Sequence, residues 1–457
     1  MTTPSSDLGA RYAAALDALA ARGRFGIRLG LGRTRALLRE LGDPQLGIRG
    51  ALIAGTNGKG SVLALAAAAV RAAGLRAGET PKPHLVSYRE RLQIGGRPVD
   101  AATFTRLVTD AIAAADRLPR RLGDPTEFEL LTAVVFRWFA EERIDLALVE
   151  VGLGGRLDAT HAWDGGVAAI TNVDLDHMDR LGPTIRHIAR EKAAIIERGD
   201  RAVTGATGDA LAIVRRRAAR MGAPLTIAEP ARIVGQDRDG LLVTLPRLGE
   251  VRVGLRGRHQ AANVAVAEAV LDGLEAAGIA AVPDDARRRG YAEARWPGRL
   301  ELLSVAGRDI LLDGAHNPAG AGALGVAIDD LRPFLEAGRL TLVTASMADK
   351  DVAGIVAALR PSRALADARV IATTVGGGRA MDPGSLAELW ATGAPPGARI
   401  ETAPDALTAL DRALGGPAGP IVVAGSLYLV GAVRARLVDD PLLHDPRPGD
   451  PGDNLER

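Results

Sequence analysis

Of the 57 basic residues in this 457-residue chain, only four are lysines: Lys59, Lys82, Lys192 and Lys350. Everywhere else the chain uses arginine. Lysine offers what arginine does not, a compact point charge that can lose its proton when buried and act as an amine. Three of the four stand in segments that could do chemistry. Lys59 lies in Leu52–Ser61, LIAGTNGKGS, where a short apolar strand runs into Gly55, Gly58 and Gly60 and then into a helix. Glycines let backbone N–H groups approach phosphate oxygens, and the helix N-terminus adds a positive field. Gly55, Thr56, Asn57, Gly58, Lys59, Gly60 and Ser61 therefore read as a nucleotide-phosphate cradle, with Lys59 reaching the β and γ phosphates and Ser61 meeting magnesium. The loop is shorter than the strict G-x-x-x-x-G-K-[ST] pattern, and Gly60 separates Lys59 from Ser61.

Further polar residues follow apolar runs that read as strands. In Val149–Thr160, VEVGLGGRLDAT, Glu150 ends a buried strand before Gly152, Gly154 and Gly155. Ligands of open α/β sheets collect at the carboxyl ends of strands, and a carboxylate there beside a phosphate loop is the expected magnesium ligand. His177 closes TNVDLDH, Thr171–His177, and Lys192 sits among apolar residues in the helical stretch AREKAAII. In Leu311–Pro318, LLDGAHNP, Asp313 ends a strand ahead of His316 and Asn317. HQAAN, His259–Asn263, and Arg299 of the RWPGR segment complete the set. By themselves these residues fit a phosphate-transferring kinase or a non-catalytic nucleotide binder as well as a ligase.

The elements that must position them alternate between strand and helix. Strands are expected at 51–54, 145–151, 167–172, 309–313, 340–345, 369–374 and 420–424. Helices fall at 61–73, 101–118, 128–142, 183–197, 259–277, 319–331, 352–359, 385–390, 405–414 and 427–437, and short strands with turns fill 232–254. Such alternation implies an α/β fold with a mainly parallel sheet covered by helices. The length exceeds what one core usually supports, so two domains are expected, with a hinge at Arg295–Arg299. The tail, 439–457, is rich in Asp, Pro and Gly and reads as disordered.

Composition narrows the classes. The absence of cysteine excludes disulfides, thiolate metal sites and cysteine nucleophiles. Net charge is +2 without a long basic run, so no nucleic-acid partner is expected. The N-terminus lacks a charged-then-apolar signal pattern, and no apolar run reaches the ~20 residues that span a bilayer. The expectation is a cytoplasmic protein with no membrane partner.

The motifs, in this order and over nearly the whole chain, resemble the folylpolyglutamate synthase / dihydrofolate synthase family, which belongs with the Mur ligases. GTNGKGS, TEFE (Thr126–Glu129), EVGLGGRLDAT, LDH, REKAAI, GRHQAAN, WPGR, DGAHNP and GSLYLVG (Gly425–Gly431) all match the family pattern. TEFE and WPGR argue against a Mur ligase acting on another carboxylate. The resemblance implies an N-terminal P-loop ATPase domain at 1–296, with a central mostly parallel sheet that also takes the pterin substrate. It implies a smaller C-terminal Rossmann-like glutamate-ligase domain at 297–438. It further implies a likeness in chemistry: ATP as co-substrate, Mg2+, an acyl-phosphate intermediate, and L-glutamate added to folate or dihydropteroate by a monomer. Carried over residue by residue, Lys59 holds the transferring phosphate. Ser61, Glu150, His177 and a carbamylated Lys192 hold metal. Asn263, Arg299 and Asp313 join the loop in binding ATP. His316 and Ser426 lie near the γ-phosphate and incoming glutamate, with His316 counted as catalytic beside Lys59 and Lys192. Thr126, Glu127, Phe128, Glu129, Leu157, Asp158 and Ala159 contact the pterin substrate.

One position departs from the family. Its usual T-S-P-H-L, whose serine ligates magnesium, reads Pro81-Lys82-Pro83-His84-Leu85 here. A charged lysine does not ligate magnesium. Lys82 is expected either to contact phosphate or substrate carboxylate, or to sit in solvent on a displaced loop.

Overall fold

The structure, a computed structural model, describes residues 7–23, 28–376, 379–394 and 397–450. It divides into two compact units. The first comprises Met1–Glu229, Val266–Gly290 and Pro441–Arg457, and the second Pro230–Ala265 and Tyr291–Asp440.

The first unit holds an eight-stranded sheet. Its strands are β1 (Gly50–Ala54), β2 (Ala77–Thr80), β3 (Gln93–Ile94), β4 (Arg97–Pro98), β5 (Leu146–Glu150), β6 (Gly166–Ile170), β7 (Arg201–Thr204) and β8 (Leu225–Ile227). They run in the order β4-β3-β2-β5-β1-β6-β7-β8. All pairings from β2 to β8 are parallel, and β3 and β4 form an antiparallel margin. Every residue of β1 and β5 is buried. That is why both read as unbroken apolar runs instead of alternating ones: parallel strands are covered on both faces.

Register fixes where the chemistry gathers. Ile53 pairs with Glu150, Ala54 with Ile170, and Thr80 with Val149. The chain therefore leaves β1, β2, β5 and β6 along one edge, carrying Gly55, Lys82, Glu150 and Thr171 together. The helix Lys59–Ala72 starts at that edge and is buried from Ser61 to Val70. Its run of alanines lets it lie close to the sheet on one side and to Gly290 on the other, where a Cβ would fall 2.4 Å from the Ala69 backbone.

The second unit contains an antiparallel sheet of β9 (Arg232–Asp237), β10 (Gly240–Leu245) and β11 (Gly249–Val253). It also contains β12 (Glu301–Val305), β13 (Arg308–Asp313), β14 (Thr341–Thr344), β15 (Arg369–Ala372), β16 (Arg399–Thr402) and β17 (Ile421–Ala424). These six are ordered β12-β13-β17-β14-β15-β16, all parallel except β12. Both units are thus helix-covered, mostly parallel sheets, as the alternation predicts.

The units divide the chain differently from a single cut at 296. The three-stranded sheet belongs to the second unit because Arg238 pairs with Asp309 and donates to Ser304 Oγ, and Gly254 N–H donates to Tyr291 O at 2.8 Å. Part of the expected disordered tail is also ordered. Pro441–Leu443 forms a short 3-10 helix, and Asp445 accepts from Ser87 Oγ at 2.7 Å and Arg89 Nε at 2.9 Å. Residues 451–457 lie outside the described residues. No helix among the described residues is long and apolar enough to cross a membrane.

Candidate active site

The glycine-rich loop is held by the segment that follows β6. Gly55 has φ 157°, and a Cβ there would stand 1.8 Å from Thr171 Oγ1. Only glycine permits that approach. Thr171 Oγ1 donates to Asn57 O at 2.6 Å, Asn57 N–H donates to Asn172 Oδ1 at 2.8 Å, and Thr56 Oγ1 donates to Asp174 O at 3.2 Å. Gly58, at φ 80°, turns the chain into the helix that opens at Lys59. Thr171, Asn172 and Asp174 are thus loop supports. In the sequence this motif, Thr171–His177, points only to His177.

Two lysines meet on one carbonyl. Lys59 Nζ donates to Gly55 O at 3.1 Å and Thr56 O at 3.2 Å, and Lys192 Nζ donates to the same Gly55 O at 2.8 Å. Lys192 is buried. Burial and the Lys59 charge pull its pKa down to about 7, against the opposing pull of Asp176 and Asp158. A neutral amine is therefore well populated near neutral pH.

Glu150 ends β5, buried, and Lys82 sits on it. The Lys82 backbone N–H donates to Glu150 Oε2 at 3.0 Å, and its ammonium donates to the Glu150 carbonyl oxygen. The ammonium also lies 5.0 Å from the Phe128 ring centroid. The solvent-exposed alternative for Lys82 is thereby overturned: register delivers it to the strand-end carboxylate. Burial lowers its pKa to about 8, with Asp158 and Glu150 resisting.

Lys82 opens onto a narrow pocket whose wall includes Arg91, Phe128, Leu131, Phe136 and Thr160. Arg91 Nε donates to His84 Nδ1 at 2.8 Å. Burial and that guanidinium hold His84 down at about 3, so the ring is a neutral acceptor.

Of the expected pterin contacts, only Phe128 lines this pocket. Thr126 and Glu129 form a reciprocal capping box on the helix Glu127–Glu141, and Arg33 pairs with Glu129 at 2.9 Å. Glu127 lies against Gly23, and Leu157 O accepts from Gly30 N–H at 3.3 Å. Asp158 accepts from Leu153 N–H at 2.7 Å and from Thr160 Oγ1 at 2.6 Å, and Ala159 is buried. Thr160 and Arg91 line the pocket but were not singled out. Arginine is too common in this chain for Arg91 to stand out.

The residues expected to hold a metal are Ser61, Glu150, His177 and Lys192, and the first, second and fourth are buried. His177 takes left-handed φ 49° with its ring 3.9 Å from Asp176 Oδ1. Among the described residues no three His, Cys, Asp or Glu side chains converge as a metal cage. A carboxylate with a hydroxyl and few other protein ligands suits a hard cation that keeps waters and takes phosphate oxygens.

In the second unit Asp313, at the end of β13, is buried and accepts from Leu300 N–H and Ala315 N–H, each at 2.9 Å. Burial raises its pKa, opposed by Arg299 and His259. These three side chains therefore form one electrostatic group, to which sequence reading had assigned only Arg299 and Asp313. Asn263 Nδ2 donates to Gln260 Oε1 at 2.8 Å. His316 Nδ1 bonds Gly314 O at 2.8 Å. Ser426 caps the helix Leu427–Leu437, one strand over, since Asp313 pairs with Ala424.

Residues 53–271 match the Mur ligase middle domain, and residues 300–437 match the C-terminal domain of dihydrofolate synthetase. The dihydrofolate synthase/folylpolyglutamate synthase of Bacillus subtilis is 34% identical over 342 residues, covering 72% of this chain and 77% of that one. The protein of the same description from Mycobacterium tuberculosis is 35% identical over 453 residues, 90% of each chain. The crystal structure of M. tuberculosis folylpolyglutamate synthase complexed with ADP and AMPPCP superposes with a TM-score of 0.83 at 33% identity, covering 95% of this chain and all of that one. The chain belongs to the folylpolyglutamate synthase / dihydrofolate synthase family of the Mur ligases.

Proposed function

We propose that this protein is an ATP-dependent ligase that joins L-glutamate to a folate-type carboxylate. One observation carries the reading: Lys59 and Lys192 converge on the Gly55 carbonyl at the sheet edge that also holds Glu150 and a cationic, aromatic-walled pocket. The substrate carboxylate attacks the γ-phosphorus of ATP, forming a C–O–P bond as ADP leaves. The glutamate amine then attacks the acyl carbon, phosphate departs, and the amine gives up a proton. No nucleophilic side chain is needed, so the chain's task is positioning and charge neutralisation.

Lys59 and the loop N–H groups receive the phosphates, and the helix N-terminus adds its field. Ser61, Glu150, His177 and a carbamylated Lys192 are the residues to hold Mg2+. When bound, that ion neutralises charge on the transferring phosphoryl group. Asn263, Arg299 and Asp313 are assigned to the nucleotide, and His316 and Ser426 to the γ-phosphate and incoming glutamate.

The test is purified protein with ATP, Mg2+ and L-glutamate, offered dihydropteroate and tetrahydrofolate separately, with products read by mass. The reading expects an acceptor heavier by one or more glutamyl residues, with phosphate release dependent on glutamate. A phosphorylated acceptor, or nucleotide binding without glutamate-dependent phosphate release, would overturn it. Which acceptor is used separates dihydrofolate synthesis from chain extension.

A further inference from the structure

The pocket beside Glu150 has two cations, Lys82 and Arg91, on an otherwise apolar and threonine-lined wall. No carboxylate lines it among the described residues. Such a wall selects an anion attached to a flat apolar body.

The two cations are not equivalent. Arg91 Nε is committed to His84, and its guanidinium lies 5.5 Å from the Tyr88 ring centroid. Lys82 lies two residues past the end of β2, on the strand-end edge. Its backbone is pinned to the Glu150 side chain, its ammonium to the Glu150 carbonyl, and its charge lies over Phe128. An ammonium carries three donors, of which that carbonyl takes one. Lys82 is also within electrostatic reach of Arg91 on the pocket side and Lys59 in the glycine-rich loop. It therefore stands where the pocket meets the phosphate loop. That is where an acceptor carboxylate must be when it attacks a phosphoryl group.

We propose that the Lys82 ammonium grips the carboxylate of the acceptor substrate, keeps it ionised and aims it at the phosphate loop, making Lys82 a determinant of specificity for an aromatic-ring carboxylate. This rests on the functional reading above. Lysine suits the task because a point charge pivots with the carboxylate as its oxygen moves onto phosphorus, whereas a guanidinium fork would fix both oxygens. Met in its place keeps the stem over Phe128 and removes the charge alone.

The experiment is calorimetric binding without ATP, using dihydropteroate and the same molecule with its carboxylate converted to the primary carboxamide. Wild-type protein should prefer the carboxylate by about 10- to 100-fold, the range of one charge-assisted hydrogen bond. Lys82→Met should bind both ligands equally, at the wild-type affinity for the amide. Amide binding by the variant also reports that the pocket is folded. A Lys82→Met protein that keeps the wild-type preference for the carboxylate overturns the assignment. Should Lys82→Met bind neither ligand, Lys82→Arg decides: a retained preference supports the assignment and a lost one overturns it. Wild-type protein that binds neither ligand overturns this assignment, while the functional reading stands or falls by the glutamate-dependent phosphate release described above.

Discussion

Lys59 and Lys192 share the Gly55 carbonyl, and the shared acceptor explains why their chemistries diverge. Burial first, and then the Lys59 charge, draw Lys192 down to about 7 while Asp176 and Asp158 resist. A neutral amine can attack carbon dioxide, forming an N–C bond and giving up a proton, to become a carbamate with anionic oxygen ligands. A guanidinium stays charged and cannot. Lys192→Arg should therefore reduce glutamate-dependent phosphate release by at least about 100-fold, the scale of losing one preorganised electrostatic group. A turnover near wild type would remove the carbamylated-lysine assignment. The rarity of lysine in the sequence was enough to mark Lys59, Lys82 and Lys192. It did not say where Lys82 points, because that follows from pairing Thr80 with Val149 across strands far apart in sequence. Thr126–Glu129 also serves the fold. Its T-x-x-E spacing is a helix-capping signature, and the structure uses two of its four residues that way, leaving Phe128 alone on the pocket.

At the scale of elements, the strand ends were legible because β1, β5, β6, β13 and β17 are apolar runs that stop at glycine or at a polar residue. The short margins β3, β4 and β8 were not, since two or three residues carry no period. The opposite end of the first sheet was also missed, and it holds a buried carboxyl, Asp200, with a raised pKa. Asp164 precedes β6 and Asp200 precedes β7. Asp200 is buried, its Oδ2 accepts from Glu197 N–H at 2.7 Å, and no donor reaches its buried Oδ1. Burial first, and then the neighbouring Asp164 and Glu197 charges, push the Asp200 carboxyl up to about 7, so below neutrality it holds a proton. The unfolded chain releases that proton near 3.8. Between those values the folded state binds the extra proton, so Asp200's contribution to stability is largest below the window. It falls as pH rises toward 7, by up to about 1.4 kcal/mol per pH unit, and is level above it. Asp200→Asn supplies a permanent N–H toward Asp164 and should flatten that slope in urea unfolding followed from pH 4 to pH 8. Identical slopes for variant and wild type would show that Asp200 does not titrate in this window.

At the scale of the whole chain, composition suggested a loose C-terminal tail, and interactions override it. Aspartates and prolines cannot build a core, yet they can complete one that lacks a counter-charge. Arg89 is buried in the first unit, where its guanidinium donates to Val99 O at 3.1 Å, His444 O at 2.9 Å and Asp445 Oδ1 at 2.9 Å. Two of these three acceptors come from the tail, which also meets the N-terminal helix: Gly449 N–H donates to Asp7 Oδ2 at 2.7 Å, and a Cβ on Gly9 would fall 2.0 Å from Arg447 O. No local pattern announces a contact 356 residues apart in sequence. Only Arg89 of this pair is buried, Asp445 being 32% exposed, so removing Asp445 leaves a buried charge short of a partner and costs more than the pair contributes. Asp445→Ala should lower the stability of the first unit by about 2 kcal/mol. Trp138 and Trp163, both buried in that unit, report its urea transition by fluorescence. Asp445→Asn keeps an oxygen for Arg89 and Ser87 and should recover part of the loss. An Asp445→Ala transition that coincides with wild type would mean that Arg89 finds other partners, and that the tail rests on the first unit without stabilising it.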